Sequence, residues 1–101
     1  MSRIDEYLVS LAQVLTAMPR EELAAIERVL WSTYERDGTI FVCGNGGSAA
    51  TASHFACDLA KWTINPDRRR LRAIALTDNV PVMTAWSNDA AYERAFVEQL
   101  I

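Results

Sequence analysis

Several residue types are scarce in this sequence of 101 residues, and each shortage excludes a class of protein. Only two cysteines are present, Cys43 and Cys57, which make no disulfide framework and have no metal-ligand spacing, so we expect a reducing compartment. No run of about 18 apolar residues occurs, and the first residues lack the basic-then-apolar order of a signal peptide. We therefore expect a soluble, cytoplasmic protein that makes no contact with a membrane.

Basic residues are fewer than acidic ones, ten against thirteen, which gives a net charge of -3. Proteins that bind nucleic acid usually carry a broad positive surface that displaces counterions from phosphates, so we expect no nucleic-acid partner. The one basic cluster, "RRRLR" at residues 68–72, is interpreted as a solvated turn that leads into a strand.

Hydrophobic residues make up half of the chain, which is enough for one globular core. Apolar residues at spacings of three and four predict two N-terminal helices. Ser2 opens the first helix, and the second begins near Pro19 and ends at Gly38. The stripe of the first helix packs either on another subunit or on the rest of this chain, and consists of Ile4, Leu8, Leu11, Leu15 and Met18.

The rest of the chain alternates strands and helices, an order that predicts a layered α/β fold with a parallel sheet. A strand covered on both faces is expected at residues 39–43. A second strand is expected at 71–77, where the alternation is less clean than in a surface strand. A helix is expected over 48–63, with Phe55, Leu59 and Trp62 on its apolar face. A short helix ends near residue 86, and a last helix covers 90–101.

Three of the four glycines, Gly44, Gly46 and Gly47, lie between the first strand and the next helix. A glycine-rich turn at that point lets the backbone approach a ligand, and the helix N-terminus favours a phosphate or carboxylate. A plain connecting turn is the alternative. "GNGGSA" also matches the loose pattern G-x-G-x-x-G/A, but the acidic residue that a nicotinamide fold requires, Asp78, comes too late.

The helix after this turn carries His54 and Asp58, four residues apart and therefore on one face. An imidazole and a carboxylate at this spacing can hold a divalent metal or share acid/base work. A hydrogen-bonded histidine or a helix-surface ion pair remains the alternative.

Two stretches resemble a known family. "CGNGGSAATASHFACDLAK" is similar to the signature of the SIS (sugar isomerase) domain proteins, in particular the phosphoheptose isomerase branch, where a strand ends in CGNGGS and the following helix contains H-F-A-x-[E/D]-L. "AIALTDNVPVMTAWSNDAAYERAF" resembles the second strand of that branch and the N-D pair after it. The resemblance extends over residues 40–96.

The resemblance implies a flavodoxin-like SIS domain, in which helices cover a five-stranded parallel sheet, in a homotetramer. Residues 1–37 would form an N-terminal segment of two oligomerising helices, and residues 38–101 the first half of the SIS domain. We expect the domain to continue beyond Ile101 with a serine- and threonine-rich phosphate loop and with a glutamine and a histidine that complete the site.

Carried over by position, the resemblance also implies roles for individual residues. His54 would be a zinc ligand. Asp58 stands where the phosphoheptose isomerases have a glutamate that binds metal and acts as acid/base, so it would be both a metal ligand and the catalytic residue. The residues that would contact a phosphorylated sugar are Asn45, Gly46, Gly47, Ser48, Asp58, Asn88 and Asp89.

The implied activity is the conversion of sedoheptulose 7-phosphate into an aldoheptose 7-phosphate, with zinc in many members. An isomerisation through an enediol needs a base over two neighbouring carbons and a charge that stabilises the enolate oxygen, and a carboxylate and a metal can supply these. The alternative is a non-catalytic SIS module that binds a sugar phosphate or a protein partner, as in the replication-initiation regulator with an SIS fold.

Overall fold

The two N-terminal helices form where the apolar spacing predicts them, in a computed structural model that describes all 101 residues. Helix α1 covers Arg3–Thr16 and helix α2 covers Arg20–Glu35. Ser2 caps α1 in a reciprocal box with Asp5, and this hydrogen bonding lowers the pKa of the Asp5 carboxyl. No residue of α1 is buried.

The end of α2 is made by Asp37 as well as by Gly38. Asp37 has a φ of 59°, the left-handed conformation expected of a helix-terminating residue. The amide of Gly38 donates to the carbonyl of Thr33 at 2.8 Å, and the amide of Asp37 donates to that of Tyr34 at 3.0 Å. These two bonds form a Schellman motif that ends the helix beside Gly38, as predicted, with Asp37 in the left-handed conformation.

Part of the basic cluster is bound to this helix end. Arg69 donates to the carbonyls of Tyr34 and Glu35 and pairs with the Asp37 carboxylate at 2.9 Å. Arg72 pairs with the same carboxylate at 3.1 Å. The cluster is an exposed turn that leads into a strand, as interpreted, and two of its arginines also bind the carbonyl end of α2.

Two parallel strands lie at the centre of the remaining chain. Strand β1 covers Thr39–Val42 and strand β2 covers Arg72–Ala75, both shorter than predicted, and Phe41 is paired with Ile74. Phe41 and Ile74 lie on the same face of the sheet and are about half exposed. Within this chain the sheet is thus covered well on one face only, which corrects the expectation of two covered faces.

Helix α3 covers Gly47–Cys57 and packs on both strands, followed by one π-helical turn at Asp58–Trp62. The predicted helical span is confirmed, but the predicted apolar face is wrong. Ala52 and Ala56 are the buried residues of α3, whereas Phe55 is 41% exposed and Trp62 is 73% exposed. Small side chains face the sheet because they let the helix approach it closely.

Helix α4 covers Val80–Asp89, capped by the Asn79 side chain, which accepts from the amide of Val82 at 3.1 Å. It runs three residues further than predicted. The last predicted helix is mostly absent, since only Arg94–Val97 forms helix α5, followed by a 3₁₀ turn at Glu98–Leu100.

The chain divides into two compact units, residues 1–31 and residues 32–101. The boundary expected from the resemblance stays a prediction. The buried residues belong to the second unit, and they are small or medium in size: Thr33, Ala52, Ala56, Ala75, Leu76, Thr77 and Ala95. None of the helices is both long and apolar enough to cross a membrane.

Candidate functional site

The glycine turn follows the carboxyl end of β1, where parallel α/β sheets commonly bind ligands. Gly46 has a φ of 58° and a ψ of -122°, a conformation open almost only to glycine, and it caps α3 without a side-chain hydrogen bond. A Cβ on Gly44 would lie 2.3 Å from the Ser48 carbonyl oxygen. Both glycines are therefore required by the backbone, and the turn predicted from the sequence is confirmed.

Gly47 differs from the other two glycines of the turn. A Cβ at this position would meet nothing within 4 Å, and its φ is not positive. No local contact explains a glycine here, which leaves open space above the first turn of α3.

His54 and Asp58 lie on one face of the helix, as predicted. The Nδ1 atom of His54 is 3.1 Å from Oδ2 of Asp58, and the side chains are 78% and 45% exposed. The pair is therefore reachable by a ligand. Asp58 is also the first residue of the π-helical turn, a type of turn that is frequent at functional sites.

The geometry of this pair is compatible with a shared metal ion. Two zinc ligands at 2.0 to 2.2 Å with a tetrahedral angle lie about 3.4 Å apart, close to the observed separation. Zinc takes at least three protein ligands, and no group of three or more histidine, cysteine, aspartate or glutamate side chains is gathered in this chain. The two residues thus fit part of a zinc site.

Asn88 and Asp89, the other predicted sugar-contacting residues, lie in the last turn of α4 rather than in a loop. The Asn88 amide donates to Oδ1 of Asp89 at 3.1 Å. The hydrogen bond that joins this region of the chain to the glycine turn comes from a neighbour, Tyr92, whose hydroxyl donates to Oδ1 of Asn45 at 2.9 Å.

A hydroxyl cluster next to the site was missed by sequence reasoning. The Oγ of Ser53 lies 2.9 Å from Oγ1 of Thr77 and donates to Oδ1 of Asp78. Thr77 also donates to the Ala49 carbonyl at 3.4 Å. The cluster joins α3 to the end of β2.

We expect Thr77→Val to destabilise the fold by about 1 to 2 kcal/mol, because a nearly buried hydroxyl that bonds Ser53 is lost while the shape is kept. Urea unfolding of the variant measures this change. Thr51→Val is the matched control: its exposed hydroxyl bonds only the Gly47 carbonyl, and we expect a change within about 0.5 kcal/mol. Equal effects of the two variants would contradict a special role for the cluster.

A cavity of about 480 Å³ opens on the other side of α3, along β2. Its polar lining includes Ser53, Asp78, Asn79 and Gln99. None of the residues predicted to bind substrate or metal lines it, so it is separate from the predicted site.

Together, the sheet, the glycine turn and the exposed His54–Asp58 pair define an α/β protein with a strand, glycine-turn and helix site of the kind that binds anionic ligands. The family model for the SIS domain matches residues 6–101. The chain belongs to the SIS domain family.

Three known proteins illustrate the similarity. The lincomycin biosynthesis protein LmbN of Streptomyces lincolnensis is 47% identical over 79 residues, covering 78% of this chain and 29% of the relative. A phosphoheptose isomerase of Roseiflexus sp. is 45% identical over 78 residues, covering 77% of this chain and 39% of the relative. The structure of phosphoheptose isomerase GmhA from Neisseria gonorrhoeae superposes with a TM-score of 0.76 at 31% identity. The match covers 96% of this chain and 48% of the GmhA chain. The chain spans less than half the length of each of them.

Proposed function

We propose that the protein acts as a sugar-phosphate aldose-ketose isomerase, with sedoheptulose 7-phosphate as substrate and an aldoheptose 7-phosphate as product. Membership of the SIS domain family and similarity to phosphoheptose isomerases support this proposal. The observation that carries it is the placement of the glycine turn and the His54–Asp58 pair on one helix.

The spacing along α3 suits a phosphorylated sugar. Gly47 and His54 are seven residues apart, which is about 10 Å along a helix. An open-chain seven-carbon sugar with a terminal phosphate has a similar length, about 10 Å, from its carbonyl end to the phosphorus. A phosphate near the glycine turn would thus place the carbonyl end near His54.

Asp58 is the proposed catalytic residue. Its carboxylate would take a proton from the carbon beside the carbonyl and return it to the neighbouring carbon, which requires an acid/base group over both carbons. The His54 ring, 3.1 Å away, would hold the carboxylate in place. A zinc ion held by His54 and Asp58 would, when bound, supply positive charge for the enolate oxygen.

The side chains that would complete the site are proposed to lie in a further part of the protein. That part would correspond to the length of the relatives that this chain does not cover. The exposure of His54 and Asp58 supports this, because proton abstraction from carbon benefits from a site that excludes water. We further propose a cytoplasmic homotetramer: Ile4, Leu8 and Leu15 on α1 are more than half exposed, as expected of a face that packs on another subunit.

The test is an assay of the intact gene product with sedoheptulose 7-phosphate, with added zinc and with a chelator, followed by NMR of the sugar products. We expect an aldoheptose 7-phosphate to accumulate, and the chelator to slow its formation. No isomerisation with any added divalent metal would overturn the proposal.

A non-catalytic SIS module is the second candidate, favoured by the aspartate at position 58. The carboxylate of an aspartate lies about 1.5 Å closer to the helix backbone than that of a glutamate, because the side chain is one methylene shorter. A misplacement of about 1 Å can lower a rate about a hundredfold. Saturable sugar-phosphate or protein binding without turnover would support this second function.

A further inference from the structure

Tyr92 lies in the turn between α4 and α5, 47 residues after Asn45, and bonds directly to the glycine turn. Its hydroxyl donates to Oδ1 of Asn45 at 2.9 Å. The backbone carbonyl of Asn45 accepts from the amide of Ser48 at 3.0 Å. Tyr92 therefore holds the side chain of Asn45, and the first turn of α3 holds its backbone carbonyl.

The hydrogen bond from Tyr92 decides which way the Asn45 amide faces. A primary amide carries its acceptor oxygen and its two N–H donors on opposite sides of the group. Because Tyr92 takes the oxygen, the NH₂ group is directed away from it. An anionic ligand offers only acceptors, so it can bond this NH₂ group and not the oxygen.

Contacts within its own segment support Tyr92. Its ring packs edge-on against Phe96, with centroids 6.1 Å apart and an angle of 77° between the planes. Between them, Ala95 is completely buried. Gln99 donates to the carbonyls of Leu76 and Ala95 at 2.9 and 2.8 Å, which ties α5 to the end of β2.

We propose that Tyr92 is a positioning residue that orients the Asn45 amide toward the anionic group of the ligand at the glycine turn. This inference rests on the proposed function, because it takes a phosphorylated ligand at that turn. Tyr92 does not touch the reacting carbons, and its effect passes through Asn45.

Tyr92→Phe in the intact protein tests the inference, because it removes the hydroxyl and keeps the ring against Phe96. We expect the KM for sedoheptulose 7-phosphate and the dissociation constant for inorganic phosphate to rise about threefold to tenfold, as for the loss of one neutral hydrogen bond. The kcat should change less than about twofold, because the reacting carbons lie elsewhere. Asn45→Ala should weaken binding at least as much.

Two comparisons separate positioning from a structural effect. In the Asn45→Ala background, Tyr92→Phe should have no further effect on binding, since its target is gone. Tyr34→Phe is the matched control. The Tyr34 hydroxyl also donates a hydrogen bond, at 3.0 Å to the Arg69 carbonyl, but beside the amino ends of the strands, so binding should not change. Additive losses in the double variant, or an equal loss in Tyr34→Phe, would overturn the inference.

A further readout keeps this inference distinct from the proposed function. In protein labelled with ¹⁵N-asparagine, inorganic phosphate should shift the Asn45 side-chain NH₂ resonances, and Tyr92→Phe should raise the concentration needed. This result without isomerisation would overturn the proposed reaction and support the positioning role. Isomerisation without a phosphate-dependent shift of Asn45 would overturn the positioning role alone.

Discussion

Asp58→Asn is expected to lower the kcat for isomerisation of sedoheptulose 7-phosphate about 100- to 10,000-fold, the range usual for loss of a general acid/base. The substitution keeps the shape of the side chain, and an amide oxygen can still accept a hydrogen bond from His54 Nδ1. The fold should therefore be retained while proton transfer is lost. A coupled assay of the intact protein, together with far-ultraviolet circular dichroism, measures both.

Two further variants make the result specific to the carboxylate at position 58. Asp67→Asn is the same chemical change at an exposed turn residue before β2, and it should leave kcat unchanged. Asp58→Glu keeps a carboxylate and should lose less activity than Asp58→Asn. Turnover by a folded Asp58→Asn protein at the wild-type rate would contradict the catalytic assignment.

Gly44→Ala should be the most destabilising single substitution in the glycine turn, by about 3 kcal/mol or more. The new Cβ would lie 2.3 Å from the Ser48 carbonyl oxygen and 2.5 Å from the Ser48 carbonyl carbon. These are backbone atoms at the start of α3, so no side-chain rotation can relieve the clash. Urea unfolding followed by circular dichroism should show a lower midpoint or no folded protein.

Gly47→Ala is the matched control three residues later. Its Cβ would meet nothing within 4 Å, so we expect unchanged or slightly higher stability, by up to about 1 kcal/mol. The same variant should weaken binding of a sugar phosphate if the open space at Gly47 is occupied by the ligand. A strongly destabilised Gly47→Ala protein would contradict the open space that the structure shows at Gly47.

The features that the sequence predicted well depend on contacts within about four residues. Ser2 caps its helix through a residue three positions on, and His54 meets Asp58 one helical turn away. The glycine turn was also located, because the strand before it and the helix after it have distinct patterns. Residue spacing alone carries this information.

The buried face of α3 could not be predicted in the same way. Phe55 and Trp62 are the most apolar choices on the helix, yet Ala52 and Ala56 face the sheet. The packing of α3 on the two strands decides this, because small side chains let a helix approach a sheet closely. The π-helical turn at Asp58–Trp62 adds a wider turn that regular helical spacing does not anticipate.

By itself, the sequence determined the order of helices and strands, the glycine turn, and the His54–Asp58 pair, because each follows from backbone preference or from one turn of helix. The tertiary structure alone decided which residues support them. The Ser53–Thr77 contact joins residues 24 positions apart, and the Tyr92–Asn45 bond joins residues 47 apart. Such partners are chosen by tertiary packing, in which α3 lies on both strands and α5 lies on α4, and no local pattern encodes this packing.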